Sequence, residues 1–158
     1  REIGYFDRGP VDSTRFQMGG SWSVYWYNGV IVSSEIARGL DIVELTPSAF
    51  ISQNEIDAAK SVRFEYLNAQ GQPKLVWPAT FALARSYVDQ LERGKGIAGG
   101  RIASTRSALD NAEKASGAAR ASALTTLATQ LDGDAGGAKD SAKAKTLASA
   151  VRALAAVK

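Results

Sequence analysis

The chain is expected to be an α+β protein, an antiparallel β-meander followed by helices and a small Ala-rich antiparallel helical bundle. Three observations predict this. All 13 aromatic residues lie before residue 88, and beyond it the sequence is mostly Ala, Leu, Ser, Thr, Lys and Asp. Asn28-Gly29 separates two runs of β-formers, and an Asn-Gly pair there is the strongest short hairpin signal because both central turn residues need positive φ. In the tail, leucines recur at helical spacing among alanines, the best helix formers.

The elements follow in order. Ile3 to Phe6 is a short apolar run, expected as a strand, closed by the turn cluster Asp7-Arg8-Gly9-Pro10. Ser21 to Tyr27 and Val30 to Val32 are the arms of the hairpin. A third strand is expected from Leu40 to Leu45, entered through Gly39 and ended by Pro47. Three aromatic-rich strands are too few to bury their own faces and need a cover of helices or of further sheet.

Ser52-Gln53-Asn54-Glu55 matches a capping box, so a short helix is expected over about 52–62. Phe64 to Tyr66 reads as extended and residues 68–73 as a loop. Pro78 suits the first turn of the next helix. That helix is expected to run to about Arg93, with Phe81, Ala84, Tyr87, Val88 and Leu91 on one face and Gly94 beyond its end. Residues 94–100 read as a flexible hinge.

Three tail helices follow, over about 101–116, 118–131 and 140–157. Their inward residues are expected to be Ile102, Leu109 and Ala112, then Leu124, Leu127 and Leu131, then Leu147, Val151, Leu154 and Val157. Asp132-Gly133-Asp134-Ala135-Gly136-Gly137 is expected to break the second of them. It lacks the further acidic ligands and closing Glu of a calcium loop. Short connections imply antiparallel neighbours in a bundle of three or four helices.

Bulk chemistry narrows the function. The chain has no His and no Cys. Ser/His and Cys/His nucleophilic sites, disulfides and the usual zinc sites cannot be built from it alone. Carboxylates, Lys, Tyr or a cofactor are the remaining carriers of chemistry. The 19 Lys and Arg are interspersed with 16 Asp and Glu, for a net charge of +3. Without a cationic tract, nucleic-acid binding is not expected. No apolar run is long enough to span a membrane. No catalytic residue, metal ligand or cofactor is assigned.

The stretch Trp22-Ser23-Val24-Tyr25-Trp26-Tyr27-Asn28-Gly29-Val30-Ile31-Val32, with Arg38-Gly39-Leu40-Asp41-Ile42-Val43-Glu44-Leu45, resembles a blade of the LVIVD-repeat β-propellers of secreted bacterial proteins. In that family a strand of the "YNGxIY" kind is followed by a closing "GLxIxDL" strand. Gly4 to Pro10 resembles the outer strand that ends the preceding blade. The resemblance implies a terminal blade-like segment over 1–46, a helical joint over 47–94 and the Ala-rich bundle over 95–158. A propeller needs at least about four blades. The implied partner is therefore the rest of a propeller chain, or another protein subunit. The implied location is extracellular or at a bacterial cell surface.

Within this frame the chain is expected to be a non-catalytic binding or assembly module. The alternative is a fragment of a propeller enzyme that lends residues to a central-channel active site. Candidate ligand-binding residues are Trp22, Glu35, Arg38 and Asp7. Trp22, with Tyr25, Trp26 and Tyr27, would form a stacking platform for sugars or other ligands, or else pack between sheets. Glu35 and Arg38 flank a strand connection that the resemblance places at the channel face, where they would bind a ligand or ion, or else form a salt bridge stabilising the turn. Asp7, with Arg8 and Asp12, has the same two readings. Lys139, Lys143, Lys145 and Arg152 would touch an anionic polymer, or else lie on a solvated helix face.

Overall fold

The computed structural model describes residues 2–157. The fold is mixed α+β, a three-stranded antiparallel sheet followed by five helices. It divides into two compact units, one ending at Val76 and the other beginning at Trp77. The joint expected over 47–94 is thus shared between them.

In the first unit, strands β1 (Ser21–Tyr27), β2 (Val30–Glu35) and β3 (Gly39–Val43) form a meander of order β1-β2-β3. The Asn-Gly turn is as expected. Asn28 has φ 50° and Gly29 φ 97°, the pair of positive angles that carries the right-handed strand twist through a two-residue loop. Tyr27 pairs with Val30 and Tyr25 with Val32 across β1 and β2, and Val32 pairs with Ile42 across β2 and β3. Side chains alternate across a sheet. One face therefore carries Tyr25, Tyr27, Val32 and Ile42, and the other Val24, Ile31, Ser33 and Val43. The register shifts between Ser21 and Ser23, a bulge that turns Ser21 to the second face, where its hydroxyl lies 2.7 Å from that of Ser33.

Ile3 to Phe6 is not a strand, which corrects the expectation. Its residues suit a sheet, but they make no ladder to β1 or β3, and propensity without a partner edge does not make a strand. Helix α1 (Gln53–Lys60) forms as the capping box requires. Ser52 Oγ accepts from Glu55 N–H and the Glu55 carboxylate accepts from Ser52 N–H. A single 3-10 turn, Ala69–Gly71, interrupts the following loop.

The second unit is a bundle of α2 (Phe81–Arg93), α3 (Gly99–Lys114), α4 (Gly117–Ala135) and α5 (Ser141–Ala155). Each helix packs on two others in the ring α2-α3-α4-α5. Leu91, Leu109, Leu124, Leu131, Leu147 and Val151 fill its centre, with alanines between them. Ala and Leu dominate because Ala lets helices approach closely while Leu supplies the buried area. Thr105 Oγ1 is buried in this core with no partner among the described residues.

Several boundaries differ from expectation. Helix α2 starts after Pro78 because Thr80 caps it, accepting from Leu83 N–H at 3.1 Å. Helix α4 continues through Asp132-Gly133-Asp134 to Ala135. Asp134 is held there by the Arg101 guanidinium at 2.7 Å, so no cation loop forms and the break comes at Gly136-Gly137. Val157 lies beyond α5 and is exposed. Residues 94–96 are a hydrogen-bonded turn rather than a hinge. Gly96 N–H donates to Leu91 O, and Gly96 O accepts from Asp140 N–H at the start of α5.

One internal repeat was not read from the sequence. Arg85-Ser86-Tyr87-Val88-Asp89-Gln90-Leu91-Glu92 and Arg106-Ser107-Ala108-Leu109-Asp110-Asn111-Ala112-Glu113 share Arg, Ser, Asp and Glu at matching places. The two segments clasp each other reciprocally. Arg85 bridges Asp110 (2.7 Å) and Glu113 (2.6 Å), while Arg106 bridges Asp89 (2.8 Å) and Glu92 (2.7 Å). The clasp holds the Glu92 carboxyl below its usual range, chiefly through the Arg106 hydrogen bond.

Candidate functional site

Three of the four predicted site residues meet at one place. Asp7, Glu35 and Arg38 line a cavity of about 440 Å³ in the first unit, together with Arg8, Asp12 and Arg15. Trp22 is not among them. It sits at the β1 bulge with its side chain 74% exposed.

Glu35, Arg38 and Arg8 hold the loop over residues 7–20 against the sheet, while Asp7 and Asp12 close turns within it. Glu35, at the end of β2, is buried. Its Oε1 accepts from Gly20 N–H at 2.8 Å, and its Oε2 accepts from the N–H groups of Ala37 and Arg38. The anticipated Glu35–Arg38 salt bridge is therefore a backbone cap instead. The Arg38 guanidinium turns the other way and donates to Pro10 O at 2.7 Å and, more weakly, to Gly9 O. Asp7 Oδ1 accepts from Gly9 N–H, and Arg8 pairs with Asp41 of β3 at 2.7 Å. Asp12 closes the next turn, accepting from the N–H groups of Thr14 and Arg15 and from the Thr14 hydroxyl.

These bonds leave a charge signature. The Glu35 carboxyl is held below its usual value, first by the Gly20 N–H and then by those of Arg38 and Ala37, while burial opposes the shift. Asp12 is lowered by its Thr14 and Arg15 bonds. A depressed carboxylate contributes stability fully above its ordinary pKa and loses it as pH falls through the folded value. The loop is therefore expected to loosen selectively below the ordinary carboxylate value of 4.5. Amide exchange at Gly20 and Ala37 measured against pH checks this. Protection that persists until the whole chain unfolds would show that Glu35 does not hold the loop.

The four-aromatic platform does not form as one surface, because alternation along β1 sends Tyr25 and Tyr27 to one face and Trp26 to the other. Tyr25 and Tyr27 instead form one wall of a groove of about 550 Å³ whose other wall is the segment 65–70. Glu65 and Tyr66 were not anticipated as site residues. The available signal was Asn28, read only as a turn residue. Its side-chain amide pairs with Phe64 like a peptide group, with Nδ2 donating to Phe64 O at 2.9 Å and Oδ1 accepting from Phe64 N–H at 2.7 Å. Arg63 Nη1 also donates to Asn28 O at 2.6 Å. Of the tail cations, Lys143 lies over the Tyr87 ring 5.3 Å from its centre and Arg152 pairs with Asp132.

Among the described residues no group of three or more carboxylate side chains is placed to hold a metal ion, and no helix is long and apolar enough to cross a membrane. No family model matches the chain, and no curated protein or solved structure is significantly similar to it. The likeness to LVIVD-repeat blades rests on the residues quoted above.

Proposed function

We propose that the chain is a non-catalytic binding or assembly module of an exported or cell-surface protein, whose sheet seats against further β-structure as a terminal propeller blade does. One observation carries this reading: the contrast in burial between the two units. Among the described residues of the first unit only Ile56, Ala58 and Val62 are buried hydrophobics, while the bundle holds the rest of the core. Conversely, nearly all the large exposed apolar side chains belong to the first unit, among them Tyr5, Phe6, Phe16, Met18, Val24 and Leu40. An apolar surface this extensive on a folded unit marks an interaction face.

The sheet edges agree with this reading. Among the described residues no backbone hydrogen bond reaches the outer edge of β1 or β3. Open edges are templates for added strands. The groove between residues 3–6 and the Val24 face, about 470 Å³ in volume and floored by Ile31, Ser33 and Val43, is a ready seat for apolar side chains of a neighbour.

The test is the mass of the source-purified protein under native and denaturing conditions. The expected result is a native particle much larger than 158 residues, in which amides of β1 and β3 exchange more slowly than in the isolated chain. A lone native monomer of 158 residues with equal exchange would overturn the proposal.

A further inference from the structure

The groove beside Tyr25 is a built site whose chemistry selects one kind of ligand. Its volume of about 550 Å³ falls within the usual range for small-molecule sites, roughly 300–1,000 Å³. Tyr25 and Tyr27 stand side by side on one face of β1, and Val32, paired with Tyr25, forms the floor. The opposite wall is fixed in place. Asn28 binds Phe64 at two points, and the Tyr27 hydroxyl donates to Phe64 O at 3.2 Å and, weakly, to Glu65 O. These ties set Glu65 and Tyr66 across from Tyr25. Asn68 then turns the chain, its Oδ1 accepting from Gln70 N–H at 3.0 Å.

Three tyrosines therefore line the groove, and two of them are open to solvent: Tyr25 is 46% exposed and Tyr66 79%. Glu65 lines it as well, and its carboxylate makes no hydrogen bond or ion pair within the described residues. No Lys or Arg is among the lining residues. Ring faces carry negative quadrupole potential and attract cations, most strongly weakly hydrated ones that lose little on leaving water. An anion would meet the carboxylate, and a neutral ligand would leave it unused. A primary ammonium is strongly hydrated and gains less from the rings.

We infer that the groove formed by Tyr25, Tyr27, Tyr66 and Glu65 binds a small quaternary ammonium group, of the kind that choline carries. The rings supply cation–π contact and Glu65 supplies the counter-charge.

The experiment titrates choline into the full chain while following backbone amide shifts, alongside 3,3-dimethylbutan-1-ol, its neutral carbon isostere. Choline is expected to bind saturably with a Kd on the order of 1 mM, shifting residues 25–32 and 64–70, and the isostere to bind about tenfold more weakly. Glu65→Gln is expected to weaken choline binding about fivefold, and Tyr66→Ala about tenfold or more. Both side chains lie at the surface, and unchanged shifts of β2 and β3 would confirm the fold in each variant. Sedimentation with phosphatidylcholine vesicles separates the two sources of the group. Tyr66-dependent co-sedimentation assigns a lipid headgroup, and choline binding without it assigns a soluble ligand. Equal affinity for the isostere, no saturable choline shift, or binding indifferent to both variants would each overturn the proposal.

Discussion

Leu147→Ala is expected to lower the stability of the helical bundle by about 3 kcal/mol. Leu147 is completely buried on α5, and the residues about it on the same helix are Ala144 and Ala148. In such a core the few leucines supply most of the buried area, and the alanines have no rotamers with which to refill a void. The cost therefore combines lost transfer free energy with an uncollapsed cavity. Urea unfolding followed by helical circular dichroism measures it. The midpoint should fall while the denaturant slope stays unchanged. A loss below about 1 kcal/mol would mean that the bundle repacks freely and that its core is less ordered than described.

Gly96→Ala is expected to cost about 2 kcal/mol by the opposite mechanism, overpacking. A Cβ at position 96 would lie 2.7 Å from Leu91 Cδ2 and 3.1 Å from Asp140 Cβ. The first contact is the tip of a side chain, but Leu91 is 1% exposed and has little room to yield. The second is at the N-cap of α5, where Asp140 accepts from Lys143 N–H at 2.9 Å. Relief would have to move either the core or the cap. Calorimetry on the variant checks the size of the loss. Restoring space with Leu91→Ala in the same chain should recover part of the strain, so the two losses should add to less than their sum. Full additivity would show that the clash is relieved elsewhere.

The fold could be read where local chemistry has a single solution. Asn28-Gly29 satisfies two positive φ angles, Ser52 and Glu55 satisfy each other's backbone donors, and the tail leucines have only one way to share a face. Expectation failed where a distant residue decided the outcome. Asp132-Gly133-Asp134 looks like a break until Arg101, more than thirty residues away, holds Asp134 to the helix. Pro78 is a different case, because the better cap, Thr80, lies only two residues on. Ile3 to Phe6 looks like a strand, yet a strand requires an edge, and which edge it would join is not written in those four residues.

The candidate site divides in the same way. Glu35 and Arg38, which flank one strand connection, come together with Asp7 from the loop before β1. The backbone bonds that Glu35 and Arg38 make there depend on where Gly20 and Pro10 fall. Glu65 and Tyr66 are brought to the groove by an asparagine read as a turn-former, whose amide pairs with Phe64, and by the Tyr27 hydroxyl.

The reciprocal clasp of α2 and α3 has a consequence for how the bundle finds its alignment. An Ala-Leu interface is nearly periodic, so sliding one helix past the other by a turn exchanges like for like and discriminates weakly. The two matching octets oppose that slide. Each arginine sits between two carboxylates one turn apart on the other segment, so a displacement of one turn takes one of its two partners from each arginine at once. The pair behaves as a two-ended key, fully seated in one register only. A smooth hydrophobic seam thereby acquires one registered position, and the turn at Gly94-Lys95-Gly96 is left to close a hairpin whose alignment the helices themselves have set.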